Sequence, residues 1–517
     1  MNLRFVPTPL VGAVPSVGLL AARAGQEDRR VPPAAAAAFL ARGAARANLD
    51  ALLEGRALAV TTGQQAGLFT GPLYTVHKAL TAAALARRLR TAWARPVAPV
   101  FWVAGDDHDF AEIAACRVIG PDGGTGAVVL RERPPEARMI PAFRELLGPD
   151  VTTALQRLEA LLPPSEFRSG VLDWLRRAYA PERSMAEAHA EALADLLGDH
   201  GVVVLRGWHG ALKRSAADVL LGALRRAGEL DAALAAEAAA LRGAGREAPV
   251  AVGNGLALVM VEGASGRDRL RAEGASRFVT RRSGEAFDLA ALERIFSEEP
   301  ERLSPNVLLR PLVEAHAVPT VAYIGGPGEL AYLAQTGPLF TAFGVPRPVP
   351  TPRLSGLLVD ARTDKTLERL GLAPGDLARS EHELAGALLK DTLPVPAAEA
   401  LEALRRELRN GFGALAREAA GIDATLERTV ESARNQALGG TQEIEKKLLA
   451  ALRRTNDTAL GQLARARTAL FPDGDPQERV LTLASFTARY GGDVVEVLAA
   501  AADAHADRLL EGNLLAT

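Results

Sequence analysis

The sequence predicts an α/β protein built on a parallel sheet, with an antiparallel helical coiled-coil hairpin near its C-terminus. Three observations lead there. Fully apolar runs each stop at glycine, a helix-like segment follows each run, and late in the chain apolar residues recur at steps of three and four.

The elements follow in order. ALAVTT (57–62) stops at Gly63, and TVHKALTAAALARRL (75–89) then reads as an Ala- and Leu-rich helix. PVAPVFWVAG (96–105) is a second apolar strand, ending in glycine and an acidic cluster. HGVVVLRGWHG (200–210) is a third, followed by the helix-like ALKRSAADVLLGALRRAG. PTVAYIGGPGELAYLAQ (319–335) supplies a fourth strand, turn and helix. Strands this apolar are buried on both faces, and the alternating helices provide the cover. Residues 136–198 are amphipathic and Ala/Leu-rich, which predicts a helical insertion. Residues 250–290, with LALVMVEG and SRFVTRRSGEAF, predict a small β insertion.

The late repeat runs through Leu401, Leu404, Leu408, Phe412, Leu415, Ala419, Ile422, Leu426, Val430, Ala433 and Ala437. Gly439 and Gly440 interrupt it. A looser stripe of Ile444, Leu448, Leu452, Ala459, Leu463 and Leu470 continues to Phe471-Pro472. This predicts two antiparallel helices, the first extending roughly 55 to 60 Å at ~1.5 Å per residue and projecting as an arm. The seam is expected to hold a homodimer.

Composition bounds the function. A chain of 517 residues is too long for one ordinary core, and 48% hydrophobic with 24% charged residues is a globular profile. Lys and Arg total 60 against 62 Asp and Glu, so no overall positive field gathers nucleic acid or anionic lipid. Cys116 stands alone, which leaves neither a disulfide framework nor a Cys-rich zinc site and fits a reducing cytoplasm. Pro7, Pro9 and Pro15 break the stretch that imitates a secretion signal, and no apolar run is long enough to span a bilayer.

Ligands of open α/β sheets bind outside the carboxyl ends of the strands, and three loops qualify. In the first, Thr61 to Lys78, Gly63, Gly67 and Gly71 let backbone approach a ligand, while Gln64, Gln65 and Thr70 offer donors to a carboxylate or phosphate. His77 and Lys78 would add positive charge at a phosphoryl or acyl transition state. The alternative is a glycine turn with His77 packed beneath the sheet. In the second, Asp106, Asp107, His108, Asp109 and Glu112 form an acidic cluster with an imidazole. It suits an ammonium group, a general base or a metal, or else a solvated turn. The third is Tyr323-Ile324-Gly325-Gly326-Pro327-Gly328-Glu329, with Pro327 placed to start a helix. Just upstream, SPNVLLRP (304–311) carries Asn306 and Arg310, the latter a carboxylate clamp or a helix cap.

TGQQAGLFTGPLYTVHKAL, PVFWVAGDDHDFAEI, SPNVLLRPL, VAYIGGPGELAYLAQ and PQERVL (476–481) together resemble the bacillithiol-synthesis cysteine ligases, in order from about residue 57 to residue 490. The resemblance implies an enzyme that joins cysteine to glucosaminyl-malate by a carbon–nitrogen bond. It also implies a Rossmann-like core similar to that of class I aminoacyl-tRNA synthetases, and a coiled coil that makes a dimer. The core would comprise residues 1–135, 199–262 and 304–375, interrupted by a helical insertion at 136–198 and a connecting insertion at 263–303. The coiled coil would span 376–472, and 473–517 would return to the core as helix.

His77 stands roughly where the synthetases carry signature histidines, but the paired His-x-Gly-His pattern is absent from Thr75-Val76-His77-Lys78. The Lys-Met-Ser-Lys-Ser loop is missing too, with Pro352-Arg353-Leu354-Ser355 the nearest segment. Both departures weigh against ATP-driven adenylation.

The roles that follow are these. His77, Lys78, Asp106, Asp107 and His108 are the catalytic candidates, one of the last three accepting the amine proton. Gln64, Gln65, Thr70, Asp109, Asn306 and Arg310 would bind substrate, Arg310 through a malate carboxylate. Gly63, Gly67, Gly71, Gly325, Gly326, Gly328 and Glu329 would hold a nucleotide, ATP or ADP, and no metal is expected. Two rivals come from other classes: a metal-dependent hydrolase of a sugar conjugate acting through GDDHDF, and a non-catalytic coiled-coil scaffold with a ligand-sensing core.

Overall fold

Apolar runs without polar alternation form the central sheet of the computed structural model, which describes residues 3–9, 15–134, 136–274, 276–390, 395–423, 425–455 and 457–511. Its strands are β1 (Phe39–Leu40), β2 (Leu58–Gln65), β3 (Val97–Ala104), β4 (Val203–Arg206), β5 (Thr320–Gly325) and β6 (Val349–Pro352). They lie in the order β6-β5-β2-β3-β4-β1. All neighbours are parallel except β1, which runs antiparallel to β4. The four strands read from sequence are the four central ones. The two at the edges were missed, because β1 has only two residues and β6, with Pro350 and Pro352 in four residues, shows no apolar run.

The order fixes where a ligand can sit. From β2 the chain adds β3 and then β4 on one side, and later adds β5 and β6 on the other. The switch point therefore lies between β2 and β5, where the connections diverge and leave a crevice at the carboxyl ends.

Helix α1 (Tyr74–Trp93) is buried without interruption from Thr75 to Ala86. It packs on the sheet on one side and on the C-terminal helix Asp493–Glu511 on the other. Alanines at 79, 82, 83, 84 and 86 permit this, since a two-sided helix needs small side chains. Two further helices position the site, α2 (Arg310–Ala317) and α3 (Pro327–Ala334).

Helices Asp150–Leu161, Arg168–Ala178 and Met185–Leu197 occupy the stretch read as a helical insertion. A second, antiparallel sheet contains Leu256–Gly263, Gly266–Ala272, Arg277–Thr280 and Ala286–Asp288, with Leu303–Pro305 at its other edge. These elements belong to one compact unit, residues 1–358 with 477–517. Residues 359–476 form another.

The second unit carries the hairpin, and here the structure corrects the sequence reading. Helix α4 (Val395–Ile422) is followed by α5 (Leu426–Thr455), which runs straight through Gly439 and Gly440. The break falls between Ile422 and Leu426, where Asp423 Oδ1 accepts from the Thr425 amide at 2.8 Å and its hydroxyl at 2.9 Å. Side-chain capture of this kind competes with helix continuation, whereas a mid-helix glycine costs only about 1 kcal/mol. Arg405 pairs with Thr441 (3.1 Å) and Glu445 (2.7 Å), positions nearly symmetric about that break, so the helices are antiparallel. At ~1.5 Å per residue the 28 residues of α4 span about 42 Å, shorter than expected. The side chain of Leu452 lies outside the described residues. Among the described residues no helix is long and apolar enough to cross a membrane.

Candidate active site

A cavity of about 540 Å³ opens at the switch point. The end of β2 contributes Gly63, Gln64 and Gln65, β3 contributes Trp102 and Ala104, and the loop after β3 contributes Asp106, Asp107 and His108. Tyr74 and Lys78 enter from α1, and Gly326, Pro327, Gly328, Glu329 and Tyr332 from the turn into α3 and the helix itself. The antiparallel sheet and the segment after it add Met260, Arg267, Arg269, Pro305, Asn306, Val307 and Arg310, and Arg353 and Arg479 close the wall.

Twelve of the eighteen residues singled out from sequence thus line one cavity: Gly63, Gln64, Gln65, Lys78, Asp106, Asp107, His108, Asn306, Arg310, Gly326, Gly328 and Glu329. The other six lie elsewhere. After Gln65 the first loop turns into the core, with Ala66, Leu68 and Phe69 fully buried. Gly67 O accepts from Tyr179 Oη at 2.8 Å and lies 3.0 Å from His189 Nδ1, and Tyr179 Oη accepts from the Thr70 amide at 2.7 Å. Gly67 is needed because a Cβ there would stand 2.8 Å from the Cα of Gly71. Gly67, Thr70 and Gly71 therefore shape the loop from behind the cavity wall. Gly325 ends β5 beneath the wall, its carbonyl accepting from the Arg353 amide at 3.0 Å. Asp109 is exposed and caps the short helix Phe110–Ile113.

His77 also misses the cavity. Successive helical residues point about 100° apart, so Lys78 rises toward β2 while His77 turns inward. The imidazole is fully buried, 3.0 Å from Glu478 Oε2 and edge-on to Phe5. Burial lowers its pKa, with Glu478 opposing, so the ring is neutral and Nδ1–H donates to the carboxylate. The same carboxylate accepts from Arg353 Nη2 at 2.7 Å and the Gly356 amide at 3.1 Å. Burial would raise the Glu478 carboxyl, but His77 and then Arg353 hold it below the carboxylate range. PQERVL thus enters the site twice, with Glu478 anchoring His77 and Arg353 and Arg479 facing the cavity.

Lys78 is buried, with Nζ at 2.9 Å from Gly63 O, 2.7 Å from Gln64 Oε1 and 2.5 Å from Glu329 Oε2. Burial lowers its pKa and Glu329 opposes the shift. Gln64 Nε2 donates to Tyr74 Oη at 3.0 Å, and the Tyr74 ring lies under both Lys78 and Arg353. Across the cavity, Asp107 Oδ2 accepts from Gln65 at 2.5 Å and Oδ1 from the His108 amide at 2.7 Å. Burial works to raise this carboxyl, but Gln65, the Arg267 charge and the His108 amide bring it below its usual value, so Asp107 is ionised. Burial and then Arg267 lower His108 to about 4. Asp106 is held by the buried Lys213 at 2.6 Å. Arg310 is committed to Glu314 at 2.6 Å and Tyr323 Oη at 3.0 Å, and Asn306 Oδ1 caps the turn into α2.

Six cations, Lys78, Arg267, Arg269, Arg310, Arg353 and Arg479, thus share the wall with three carboxylates, Asp106, Asp107 and Glu329. Arg269 and Arg479 have no carboxylate partner among the described residues. Sequence reasoning missed Tyr74, Trp102, Lys213, Arg267, Arg269, Arg353, Glu478 and Arg479. GRDRLRA carried a local signal, since arginines at every second position of a strand share a face, and Tyr74, Trp102, Glu478 and Arg479 lie inside motifs that carried the resemblance without marking their roles.

A Rossmann-like sheet with a cation-rich cavity at its switch point places the chain among the α/β proteins that carry their site at the carboxyl ends of the strands. The bacillithiol biosynthesis BshC N-terminal Rossmann-like domain matches residues 34–354, and the BshC C-terminal coiled-coil domain matches residues 356–508. The chain belongs to the BshC family. It is similar to a protein of Salinibacter ruber (32% identity, covering 88% of this chain and 82% of the relative) and to one of Chlorobaculum tepidum (30%, 87% and 82%). A Geobacillus kaustophilus protein is 30% identical, covering 89% and 85%. All three bear the name "Putative cysteine ligase BshC".

Proposed function

We propose that this chain is a cysteine ligase that forms an amide between an activated cysteine carboxyl group and the amine of glucosaminyl-malate, in the cavity at the switch point. The observation that carries this is the cavity's excess of six cations over three carboxylates, which suits a malate and a phosphorylated co-substrate in the same space, with the ionised Asp107 on the wall to meet an ammonium group.

Joining a free carboxylate to an amine in water is uphill, so the cysteine carboxylate must first be activated by phosphoryl or nucleotidyl transfer from a nucleoside triphosphate. The residues present suit such a co-substrate. Arg269 and Arg479 are unpaired, and a Cβ at Gly328 would meet nothing within 4 Å, so the turn into α3 is open to close approach. Lys78, fixed between Gly63, Gln64 and Glu329, is the cation best placed to meet charge as it develops. Arg310 forms the floor of the malate subsite, and the free arginines supply its carboxylate contacts.

The homodimer is part of the same proposal. The two-helix hairpin leaves Leu404, Leu415, Ile422, Leu426, Ile444 and Leu448 between 38% and 83% exposed, a longer apolar face than one folded hairpin covers.

The test is a coupled assay with cysteine, glucosaminyl-malate and each candidate nucleoside triphosphate, reading the new amide by mass. Product with one nucleotide supports the ligase. No product with any of them, together with metal-dependent cleavage of a sugar conjugate, would replace it with the hydrolase.

A further inference from the structure

His108 meets the cavity in one tautomer only. An arginine side chain donates hydrogen bonds and cannot accept them, so the 3.1 Å contact between Arg267 Nη1 and His108 Nδ1 requires an unprotonated Nδ1. Arg267 cannot turn away from it. Its Nε is 2.7 Å from Ser304 Oγ, its Nη2 is 2.9 Å from Pro305 O, and the residue is buried. A neutral ring therefore carries its hydrogen on Nε2, which has no hydrogen-bond partner among the described residues and is available to a ligand. The charges facing the ring are Arg267 from the antiparallel sheet, Arg282 from the turn between Arg277–Thr280 and Ala286–Asp288, and Asp107 and Asp109 from its own loop. Burial and the arginines outweigh the carboxylates, and the ring is uncharged near neutral pH.

We propose that His108 serves the ligation as a neutral hydrogen-bond donor, giving its Nε2–H to the oxygen that gains negative charge, and that Arg267 is the positioning residue that fixes this tautomer. The proposal rests on the amide-forming reading. In that step the amine lone pair forms the carbon–nitrogen bond, and the carbonyl π pair moves onto oxygen, where Nε2–H meets it. The pair returns as the carbon–oxygen bond to the phosphate breaks, and the phosphate leaves with its electrons. The amine proton goes to Asp107 or to water, because Nδ1 of His108 is occupied.

The experiment combines ¹⁵N-histidine NMR of the full chain with turnover. The His108 signal is assigned by its loss in His108→Gln. Expected in the wild type are a protonated Nε2, an unprotonated Nδ1 and no titration between about pH 5.5 and 8. Arg267→Met is expected to mix the tautomers and move the midpoint up toward the ordinary 6.5. His108→Gln, which keeps an N–H donor, slows ligation less than tenfold, and His108→Ala slows it about a hundredfold.

An Nδ1–H tautomer, or a wild-type midpoint near 6.5, overturns the geometric argument whatever the activity. The expected tautomer with His108→Gln as slow as His108→Ala, and with one limb of the pH–rate profile gone, overturns the donor role in favour of a base. If the wild type forms no amide, the ligase reading and the donor role fall together. The NMR arm then still reads the Arg267 contact on its own.

Discussion

Replacing His77 by alanine separates the two roles open to a histidine at the start of α1. The imidazole is fully buried, donates to Glu478 at 3.0 Å and stands edge-on to Phe5 with ring centres 5.6 Å apart. Its removal deletes a hydrogen bond to a charged acceptor, worth roughly 1.5–3 kcal/mol, and leaves a void worth roughly another 1–2 kcal/mol. Glu478 keeps Arg353 and the Gly356 amide. Its charge is therefore not stranded, and the larger cost of breaking a buried pair does not apply. The expected loss is about 3 kcal/mol. Urea unfolding followed by tryptophan fluorescence measures it, alongside ligation per mole of folded enzyme. The rate of the folded fraction is expected to stay within about fivefold of wild type, because Lys78 and not His77 faces the cavity. Unchanged stability with a rate down a hundredfold or more would refute this reasoning and return His77 to the reaction.

Asp107→Asn is expected to lower turnover about a hundredfold near neutral pH while costing under about 1 kcal/mol of stability, because an amide cannot hold or deprotonate the ammonium group. Recovery on adding a divalent ion would instead point to the hydrolase. Folding stability should fall as pH drops from about 6.5 to 4. Burial holds His189 and His505 near 4, so both are neutral in the fold while the unfolded chain takes up protons below 6.5. At pH 5.5 the loss is about 1.4 kcal/mol per histidine, about 3 for the pair, and urea midpoints from pH 7.5 to 5 that stay flat or rise would contradict it. The full chain is expected to sediment as a dimer and a chain with residues 396–454 replaced by a short linker as a folded monomer, and a shortened chain that still dimerises would exclude the hairpin as the contact.

By itself the sequence determined the central strands and the presence of a helical hairpin, because these depend on local pattern. Apolar runs ending at Gly63 and Gly105, a switch to helical spacing after them and a stripe at steps of three and four are each contained in one stretch of chain. It also located the acidic loop and the Gln64–Gln65 edge, since residues at the carboxyl end of a buried parallel strand face the crevice whatever packs around them. The tertiary structure decided direction and partnership. His77 and Lys78 are adjacent, but helix rotation sends one to Glu478, 401 positions away in sequence, and the other into the cavity. Arg267, Arg353 and Arg479 are three among 60 Lys and Arg residues, and neither the alternation in GRDRLRA nor the PQERVL motif says that they converge. They meet only because a second sheet and the return of the chain after residue 476 close over the switch point. The hairpin turn was misplaced for a related reason. A glycine pair is a stronger local signal than Asp423 and Thr425, yet Arg405 reaching Thr441 and Glu445 sets the register, and the turn falls where that pairing requires it.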